Sequence, residues 1–298
     1  MTVQFGAKLL FKPYDSDTLE KVHKINLLIY QDFADLCARH NINYFAISGT
    51  VIGALRHKGF IPWDDDIDIA MLRGDYERFV KYAETELSDK YYLMGPEFDH
   101  KYYNLKPHLV LKDTTFVTNE AWSSGYRPGF FLDLFIYDNI PTDPNELAKY
   151  HRQCKIYTVL WFAYHVHFEK LLDTQSTFLG KAKYIVSFLI GSFLRAIPGC
   201  EVRIWRGYDA LSKKYRGKTE RYSALTDYGM TYMYVDKDEM FPLVDMPFEN
   251  TSVKLVREYE RQVSRHMGPD YMQLPPLEKR TNHFPKELDF GKYDEVLK

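Results

Sequence analysis

Ionisable side chains are densest in the run Trp63-Asp64-Asp65-Asp66-Ile67-Asp68-Ile69, which holds four carboxylates within five residues. Like charges at this spacing repel one another, and a bound Mg²⁺ or Mn²⁺ removes that cost because both ions prefer oxygen ligands. On a strand, Asp66 and Asp68 would project from one face while the apolar residue between them faces a core. The run therefore predicts a divalent-metal site with Asp66 and Asp68 as ligands. A solvated acidic loop is the alternative.

A further carboxylate, Asp133, lies in the middle of the nearly continuous apolar run 130–136. Such a run predicts a buried strand, in which an unpaired charge would be costly. We therefore expect Asp133 to be the third metal ligand, and Asp138 at the end of the same strand is a second candidate for that position. The alternative is a salt bridge, for which the sequence offers Lys106, Lys112 and Arg127.

The segment Ser48-Gly49-Thr50 stands between a predicted strand and a short predicted helix, about sixteen residues before the acidic run. Small residues at such a turn let backbone N–H groups approach a phosphate closely. The cations Arg56 and Lys58 follow, and both can bind a diphosphate, whereas His57 fits an ordinary solvated loop. The predicted phosphate-binding residues are thus Ser48, Gly49, Thr50, Arg56 and Lys58.

Hydrophobic periodicity indicates the elements that must hold these groups. In the first half it predicts helices over 17–39, 51–56 and 74–87, and strands over 44–47, 66–71, 91–94, 108–112 and 130–137. In the second half it predicts helices over 144–173, over 178–215 with a break at Pro198-Gly199, and over 251–267, followed by a loop-rich end. This order predicts an α+β fold, in which a small mixed sheet with helices precedes a mainly helical half.

The composition of the chain argues against several classes of function. The net charge of −2 over 298 residues gives no global basic field for nucleic acid or an anionic membrane. The three cysteines lack the paired spacing of a disulfide framework or a zinc site, which favours a reducing cytoplasm. The N-terminus does not have the form of a signal peptide. The apolar run 184–194 is too short to span a bilayer; a buried helix is favoured over a helix on a membrane surface.

Residues 48–69, from Ser48-Gly49-Thr50 through Arg56-His57-Lys58 to Asp66-Ile67-Asp68-Ile69, closely resemble the signature of the LicD family. These proteins are phosphocholine transferases of bacterial surface glycans, related to the fukutin group. The run 131–135 resembles the second acidic strand of the family, and 271–276 with Arg280 and His283 resembles its C-terminal motif. The resemblance covers residues 20–285; one departure is Ile47-Ser48, where the family usually has Tyr or Asn-Tyr before Gly-Thr.

The resemblance implies a nucleotidyltransferase-like fold in one domain over 1–298, with a catalytic core over 40–140 and a mainly helical extension over 141–298 that completes the site. It implies transfer of phosphocholine, or a related phospho-alcohol, from CDP-choline or another CDP-alcohol, with release of CMP. The acceptor would be a hydroxyl of a surface glycan or lipid-linked glycan, such as a lipopolysaccharide or teichoic acid. Such an acceptor would place the enzyme in the cytoplasm at the inner face of the membrane.

In this reading Asp66, Asp68 and Asp133 bind Mg²⁺ or Mn²⁺, and either Asp68 or Asp133 takes the proton of the acceptor hydroxyl. A trimethylammonium group would be held by aromatic faces. By composition alone, the aromatic candidates are Trp122, Tyr126, Tyr157 and Trp161, each of which also fits a core position.

Three other functions share part of this pattern. A nucleotidyltransferase that releases pyrophosphate uses the same Gly-Thr and Asp-x-Asp arrangement, and a glycosyltransferase uses Asp-x-Asp with Mn²⁺. In a glycosyltransferase, however, the motif normally follows a longer nucleotide-binding region. A calcium-binding loop starting at Asp64 is excluded, because its sixth position is Ile69 rather than Gly and its twelfth is Asp75 rather than Glu.

Overall fold

The computed structural model describes residues 12–165, 178–225 and 233–295. In these ranges the helices are α1 (Ser16–Arg39), α2 (Ser48–His57), α3 (Arg73–Glu86), α4 (Asn119–Ser123), α5 (Pro144–His165), α6 (Phe178–Arg195), α7 (Cys200–Ser212), α8 (Lys237–Met240) and α9 (Tyr259–Met267). The strands are β1 (Phe45–Ala46), β2 (Asp68–Leu72), β3 (Tyr91–Met94), β4 (His108–Leu111), β5 (Thr115–Val117), β6 (Phe131–Asn139), β7 (Arg221–Ala224), β8 (Val235–Asp236), β9 (Val244–Phe248), β10 (Thr251–Leu255) and β11 (Glu287–Asp289).

The main sheet has the order β1-β2-β6-β4-β3. Strands β2 and β6 are parallel, and the other neighbours in this order are antiparallel. The long strand β6 pairs with β4 through its first half and with β7 through its second half. This mixed sheet, with helices packed around it, confirms the α+β class.

Helix α1 covers one face of the sheet. It begins where the side chain of Asp15 accepts a hydrogen bond from the backbone N–H of Thr18 at 2.9 Å, which satisfies one of the free donors of the first turn. Its apolar residues recur at helical spacing and are fully buried in the main core: Val22, Ile25, Ile29, Phe33 and Leu36. Burying side chains of this size stabilises the fold by about 1.5–3 kcal/mol each.

The second half of the chain first leaves the sheet and then returns to it. Helices α5, α6 and α7 form a helical unit with its own apolar cluster. Strands β7 and β8 then extend the main sheet beside β6, and β9 pairs with β10 in a separate hairpin. Strand β11 pairs with β5, which brings the C-terminal segment back to the first half of the molecule.

One helix prediction needs correction. The prediction of a helix over 251–267 is wrong for its first part: residues 251–255 form β10, and the helix begins at Tyr259. The break predicted at Pro198-Gly199 within 178–215 is confirmed, because one helix ends at Arg195 and the next begins at Cys200. Residues 166–173 of the helix predicted over 144–173 lie outside the described residues.

Candidate active site

Three neighbouring strands place the central residues of the site in one row. Asp68 on β2 lies opposite Asp133 on β6, and Asp133 lies opposite His108 on β4. Lateral neighbours in a sheet project from the same face. The sheet therefore brings together residues that are up to 65 positions apart in the sequence.

Asp66 completes this group, although the strand predicted over 66–71 begins only at Asp68. One carboxylate oxygen each from Asp66, Asp68 and Asp133 lies within 4.8 Å of the others. Burial raises the pKa of Asp68 well above its usual range, and the neighbouring charge of Asp66 adds to the rise. Burial also raises the pKa of Asp66, against the opposing effect of His283. Carboxylates held together in this way are costly without a cation between them.

Asp133 is the carboxylate of this group that has its own partners, a lysine and a histidine. The ammonium group of Lys106 contacts its Oδ2 atom, and Nε2 of His108 lies 2.6 Å from its Oδ1 atom. Burial opposes the ionisation of Asp133, but Lys106 and His108 outweigh it and hold the pKa below its usual range. The salt bridge to Lys106 that the sequence offered is thus present. The other two candidates lie elsewhere: Lys112 donates to the carbonyl of Ser88 and Arg127 pairs with Glu287.

His108 is oriented by a tyrosine. The hydroxyl group of Tyr102 hydrogen-bonds to Nδ1 of His108, and both side chains are buried. Burial lowers the pKa of His108, which favours the neutral imidazole. With the Tyr102 hydroxyl as donor to Nδ1, the ring hydrogen lies on Nε2, which faces Asp133.

The loop before β2 is held from three directions through Asp65. Its carboxylate accepts from the hydroxyl of Tyr14 at 2.6 Å and from the backbone N–H of His283 at 2.9 and 3.1 Å. Its carbonyl accepts from the side chain of Asn26 on α1 at 2.8 Å. Asp65 therefore ties the loop to α1 and to the segments that hold Tyr14 and His283.

His283 reaches the acidic group from the C-terminal segment. Its Nδ1 atom lies 3.3 Å from Oδ2 of Asp66 and 3.4 Å from Oδ1 of Asp65. Burial lowers the pKa of His283, but the charge of Asp66 and the contact with Asp65 outweigh burial and raise it well above its usual range. Without a metal ion, the carboxylates thus favour the protonated form of this side chain. The sequence singled out His283 only through the family resemblance.

The Gly-Thr segment lies directly behind the acidic loop. It forms the first turn of α2, which begins at Ser48, rather than a turn that precedes the helix. The hydroxyl oxygen of Thr50 accepts from the backbone N–H of Asp68 at 2.9 Å. A Cβ atom on Gly49 would lie 2.6 Å from Oδ2 of Asp64, so only glycine allows that carboxylate to approach. The positive end of α2 thus faces the acidic loop.

Arg56 and Lys58 lie at the other end of α2, about 12 Å and about 15 Å from its first residue at the rise of an α-helix. The guanidinium group of Arg56 donates to the carbonyls of Tyr271 at 3.1 Å and Gln273 at 3.0 Å. Lys58 is exposed and ends the helix in the left-handed conformation, with φ of 61°. The structure brings neither cation to the acidic group, and their role in binding the donor phosphates stays a prediction.

Asp138, the second candidate for the third carboxylate, is used elsewhere. Arg73 binds it through two hydrogen bonds, of 2.9 and 2.5 Å, and also donates to Ser212. Asp138 lies an odd number of positions after Asp133 on β6, so the two side chains leave opposite faces of the sheet.

An open pocket adjoins the acidic group. It is lined by Asn26, Asp65, Asp66, Tyr103, Asn104, Lys106, His108, Phe116, Thr118, Phe130, Phe131, Asp133 and His283. The four aromatic residues predicted to hold a trimethylammonium group lie in different parts of the molecule. Tyr126 packs against Tyr102 with ring centroids 5.5 Å apart, and Trp122 lies under Lys286. Tyr157 and Trp161 pack in the apolar cluster of the helical unit.

The residues present fit a divalent metal ion. Asp66, Asp68 and Asp133 supply the oxygen-only ligands that Mg²⁺ and Mn²⁺ prefer. Nε2 of His108 lies 2.6 Å from the buried Oδ1 atom of Asp133 but is not well aligned with it, and a carboxylate oxygen can accept more than one bond, so a ligand position remains on Oδ1. A second group that could hold an ion, Asp65-Asp66-His283, includes one imidazole. Because the Asp65 carboxylate is already hydrogen-bonded to Tyr14 and His283, we favour the three-carboxylate group.

Comparison with known proteins adds independent findings. Residues 41–170 match the family described as "LicD/FKTN/FKRP, nucleotidyltransferase domain". The lipopolysaccharide cholinephosphotransferase LicD of Haemophilus influenzae is 30% identical over 278 residues, which cover 91% of this chain and 97% of that protein. An uncharacterized protein of Rickettsia prowazekii is 42% identical over 199 residues, which cover 58% of this chain and 72% of that protein.

Proposed function

This chain belongs to the LicD family, and we propose that it transfers phosphocholine, or a related phospho-alcohol, from a CDP-activated donor to a hydroxyl of a cell-surface glycan. The named relative from Haemophilus influenzae is a lipopolysaccharide cholinephosphotransferase, which supports phosphocholine as the group and a glycan as the acceptor. We place the reaction on the cytoplasmic side of the membrane, where CDP-activated donors and lipid-linked glycans would meet.

The observation that carries the proposal is the convergence of Asp66, Asp68 and Asp133 beside an open pocket, which Asp66 and Asp133 line. These residues would hold Mg²⁺ or Mn²⁺, and the bound ion would neutralise charge on the transferred phosphoryl group and the departing CMP. Thr50 fixes the backbone of Asp68, and Gly49 leaves room for the adjoining carboxylate of Asp64. The Gly-Thr segment thus supports the ligands from behind.

Lys106 and His283 bring positive charge to the same pocket. We propose that they bind phosphate oxygens of the donor when the metal occupies the carboxylates. The metal would then compensate the charge of the carboxylates, which leaves these two side chains available for the phosphate. This role was not predicted from the sequence, which assigned phosphate binding to Ser48, Gly49, Thr50, Arg56 and Lys58.

In the reaction, the oxygen of the acceptor hydroxyl attacks the phosphorus that bears choline. The bond from that phosphorus to the bridging oxygen breaks, and CMP leaves with the electron pair. The hydroxyl proton passes to a carboxylate, for which we propose Asp68. Asp133 is the poorer acceptor, because Lys106 and His108 hold it ionised.

The aromatic side chains beside the pocket suit a quaternary ammonium group better than those predicted in the helical unit. Tyr103 and Phe131 line the pocket, and Tyr102 and Tyr126 pack next to Tyr103. Aromatic faces attract a trimethylammonium cation within about 6 Å of the ring centre. We propose this tyrosine-rich wall, rather than Tyr157 or Trp161, as the choline side of the pocket.

The test measures CMP release from CDP-choline by the wild-type chain, with a glycan extract as acceptor, in Mg²⁺ and in EDTA. We expect Mg²⁺-dependent release, lowered more than about 100-fold by Asp68→Asn, since even outer partners of metal ligands contribute 10- to 100-fold. Binding of Mn²⁺ by calorimetry should weaken in the same variant. Asp89→Asn, the same change at an exposed position, is the matched control and should alter neither quantity.

CDP-glycerol, CDP-ribitol and UDP-glucose run beside CDP-choline identify the donor. Release of pyrophosphate from a nucleoside triphosphate would replace the proposal with nucleotidyl transfer, and turnover of UDP-glucose alone would replace it with glycosyl transfer. No turnover of any donor, together with unchanged Mn²⁺ binding in Asp68→Asn, would contradict both the activity and the metal site.

A further inference from the structure

Helix α6 exposes its large apolar side chains. Among the residues of this helix whose side chains the structure describes, five are 40–69% exposed: Ile185, Val186, Leu189, Ile190 and Phe193. They recur at steps of one, three and four residues, which places them on one face of the helix. A contiguous exposed apolar surface of this kind marks an interaction site.

The opposite face of α6 packs through small residues. Ser187 is buried, and a Cβ atom on Gly191 would lie 1.9 Å from the carbonyl oxygen of Ala163 on α5. The backbones of α5 and α6 therefore approach closely at this point. A helix with small residues inside and large apolar residues outside reverses the pattern of a helix in a water-surrounded protein, and helices in membranes pack in this way.

Charge is divided unevenly between this part of the chain and the rest. Residues 144–218 contain thirteen Lys and Arg against five Asp and Glu, whereas the remaining residues contain 26 against 36. Exposed cations of this unit that form no ion pair with any described residue include Lys149, Arg152, Lys155 and Arg206. The net charge of −2 for the whole chain conceals a basic helical unit, which an anionic surface would attract.

The length of α6 indicates whether this helix could span a membrane or could only lie on its surface. None of the described helices alone is long and apolar enough to cross a bilayer; Ile185–Arg195 and Cys200–Ser212 qualify only together, and they are bent by 105°. We propose that the exposed face of α6 inserts into the headgroup region of an anionic lipid bilayer, with the basic residues of the α5–α7 unit against the anionic headgroups. This surface does not depend on the transferase chemistry.

The experiment is cosedimentation of the full chain with vesicles of phosphatidylcholine alone, or of phosphatidylcholine and phosphatidylglycerol at about 70:30. We expect binding to the anionic vesicles only, reduced strongly by about 0.5 M NaCl because salt screens the headgroup attraction. The double variant Leu189→Ser with Phe193→Ser should weaken the partition by roughly tenfold or more, since insertion strength follows the buried apolar area. Both side chains are exposed, so the variant should keep its unfolding temperature.

The matched apolar control is Leu274→Ser with Leu277→Ser, which are as exposed but lie outside the helical unit, and it should bind like the wild type. Two double variants test the role of charge. One combines Arg152→Glu with Lys155→Glu in the helical unit, and its control combines Lys81→Glu with Lys101→Glu, which changes the net charge equally at exposed positions elsewhere. Only the first pair should lower binding.

Wild-type chain that stays in the supernatant with both vesicles would overturn the proposal, as would equal binding by the α6 variant. A concentration-dependent dimer in sedimentation velocity that the α6 variant abolishes, without vesicle binding, would assign the face to a second copy instead. CMP release to a soluble acceptor is measured in parallel. Loss of lipid binding with activity intact separates this surface from the active site.

Discussion

The acidic pocket and the helical unit hold their charges in opposite ways. In the pocket, buried carboxylates lie within a few ångströms of one another and are compensated by Lys106 and His283. In the helical unit, the excess charge is positive and is carried by exposed side chains. Buried charges are costly when a partner is removed, whereas exposed ones are nearly independent of their neighbours. Stability should therefore depend on the charges of the pocket, and attraction to a surface on those of the helical unit.

The largest expected effect comes from removing the buried cation of the pocket. Lys106→Met leaves Asp133 without its closest positive charge, and breaking a buried ion pair costs about 3–5 kcal/mol. We expect the metal-free variant to unfold at lower urea concentration, and Mg²⁺ to restore more stability to it than to the wild type, because the ion would supply the missing charge. Urea titrations with and without Mg²⁺ measure both quantities.

Two controls sharpen the comparison. Arg73→Met breaks the buried pair with Asp138, which lies outside the pocket, so its loss of stability should not respond to Mg²⁺. Arg152→Met removes an exposed cation of the helical unit and should change stability by less than about 0.5 kcal/mol. Equal losses in Lys106→Met and Arg152→Met would contradict the contrast between the two regions.

A smaller effect should follow from filling the space at Gly49. In Gly49→Ala the new methyl group would meet the carboxylate of Asp64, and overpacking of this kind costs about 1–3 kcal/mol. The Asp64 carboxylate must move, so Mn²⁺ binding should weaken as well. Gly74→Ala is the control, because a Cβ atom there meets no neighbour within 4 Å. A Gly49→Ala protein with unchanged melting temperature and Mn²⁺ affinity would show that the close approach is unimportant.

The pH dependence of stability should be the mildest effect. The pKa of His283 is raised in the fold, so its contribution is complete below the usual value near 6.5 and is lost as the pH rises through the folded value. The raised pKa values of Asp64 and Asp68 act in the same direction. As the pH rises, these carboxyl groups ionise more readily in the unfolded chain than in the folded one, so the folded state loses stability relative to the unfolded state.

Below about pH 6.5 the lowered pKa of His108 opposes this trend, so we expect the free energy of unfolding of the metal-free chain to fall as the pH rises from about 6.5 to about 8. Saturating Mg²⁺ should flatten that decline, and His283→Gln should make it shallower. Urea midpoints across this range test the expectation, and a rise of stability with pH in the absence of metal would contradict it.

The apolar patterns predicted most of the main sheet and its covering helices, because fully buried strands and a one-sided helix such as α1 leave plain signals. The pattern over 251–267 misled, because in residues 251–255 it is Val253 and Leu255, two apart, that are buried, and this alternation belongs to a strand. Short strands such as β5 and β11 have too few residues to establish a period, and these two form by pairing with each other although they lie far apart in the sequence.

The carboxylates of the site were predicted because they are crowded or stand in an apolar run. Lys106 was one of three cations that the sequence offered as a partner of Asp133, but the sequence could not choose among them, and it did not predict His108, which reaches Asp133 only through the register of β4 and β6. Arg56 and Lys58 are close to the acidic run in sequence but lie at the far end of α2. The local sequence was enough to identify carboxylates that need a compensating charge. The order of the strands in the sheet determines which residue supplies that charge.

The hydrogen bonds of Asp65 also bear on how the protein is made. Its carboxylate joins Tyr14 near the start of the described chain to His283 near its end. Synthesis proceeds from the N-terminus, and early segments begin to fold before later ones are present. A nascent chain therefore holds all the carboxylates of the pocket while the imidazole that balances them has yet to be translated. During that interval the carboxylates of the loop before β2 repel one another without the compensating charge of His283. Free Mg²⁺ should reduce this repulsion and so help the growing chain to keep its first half folded.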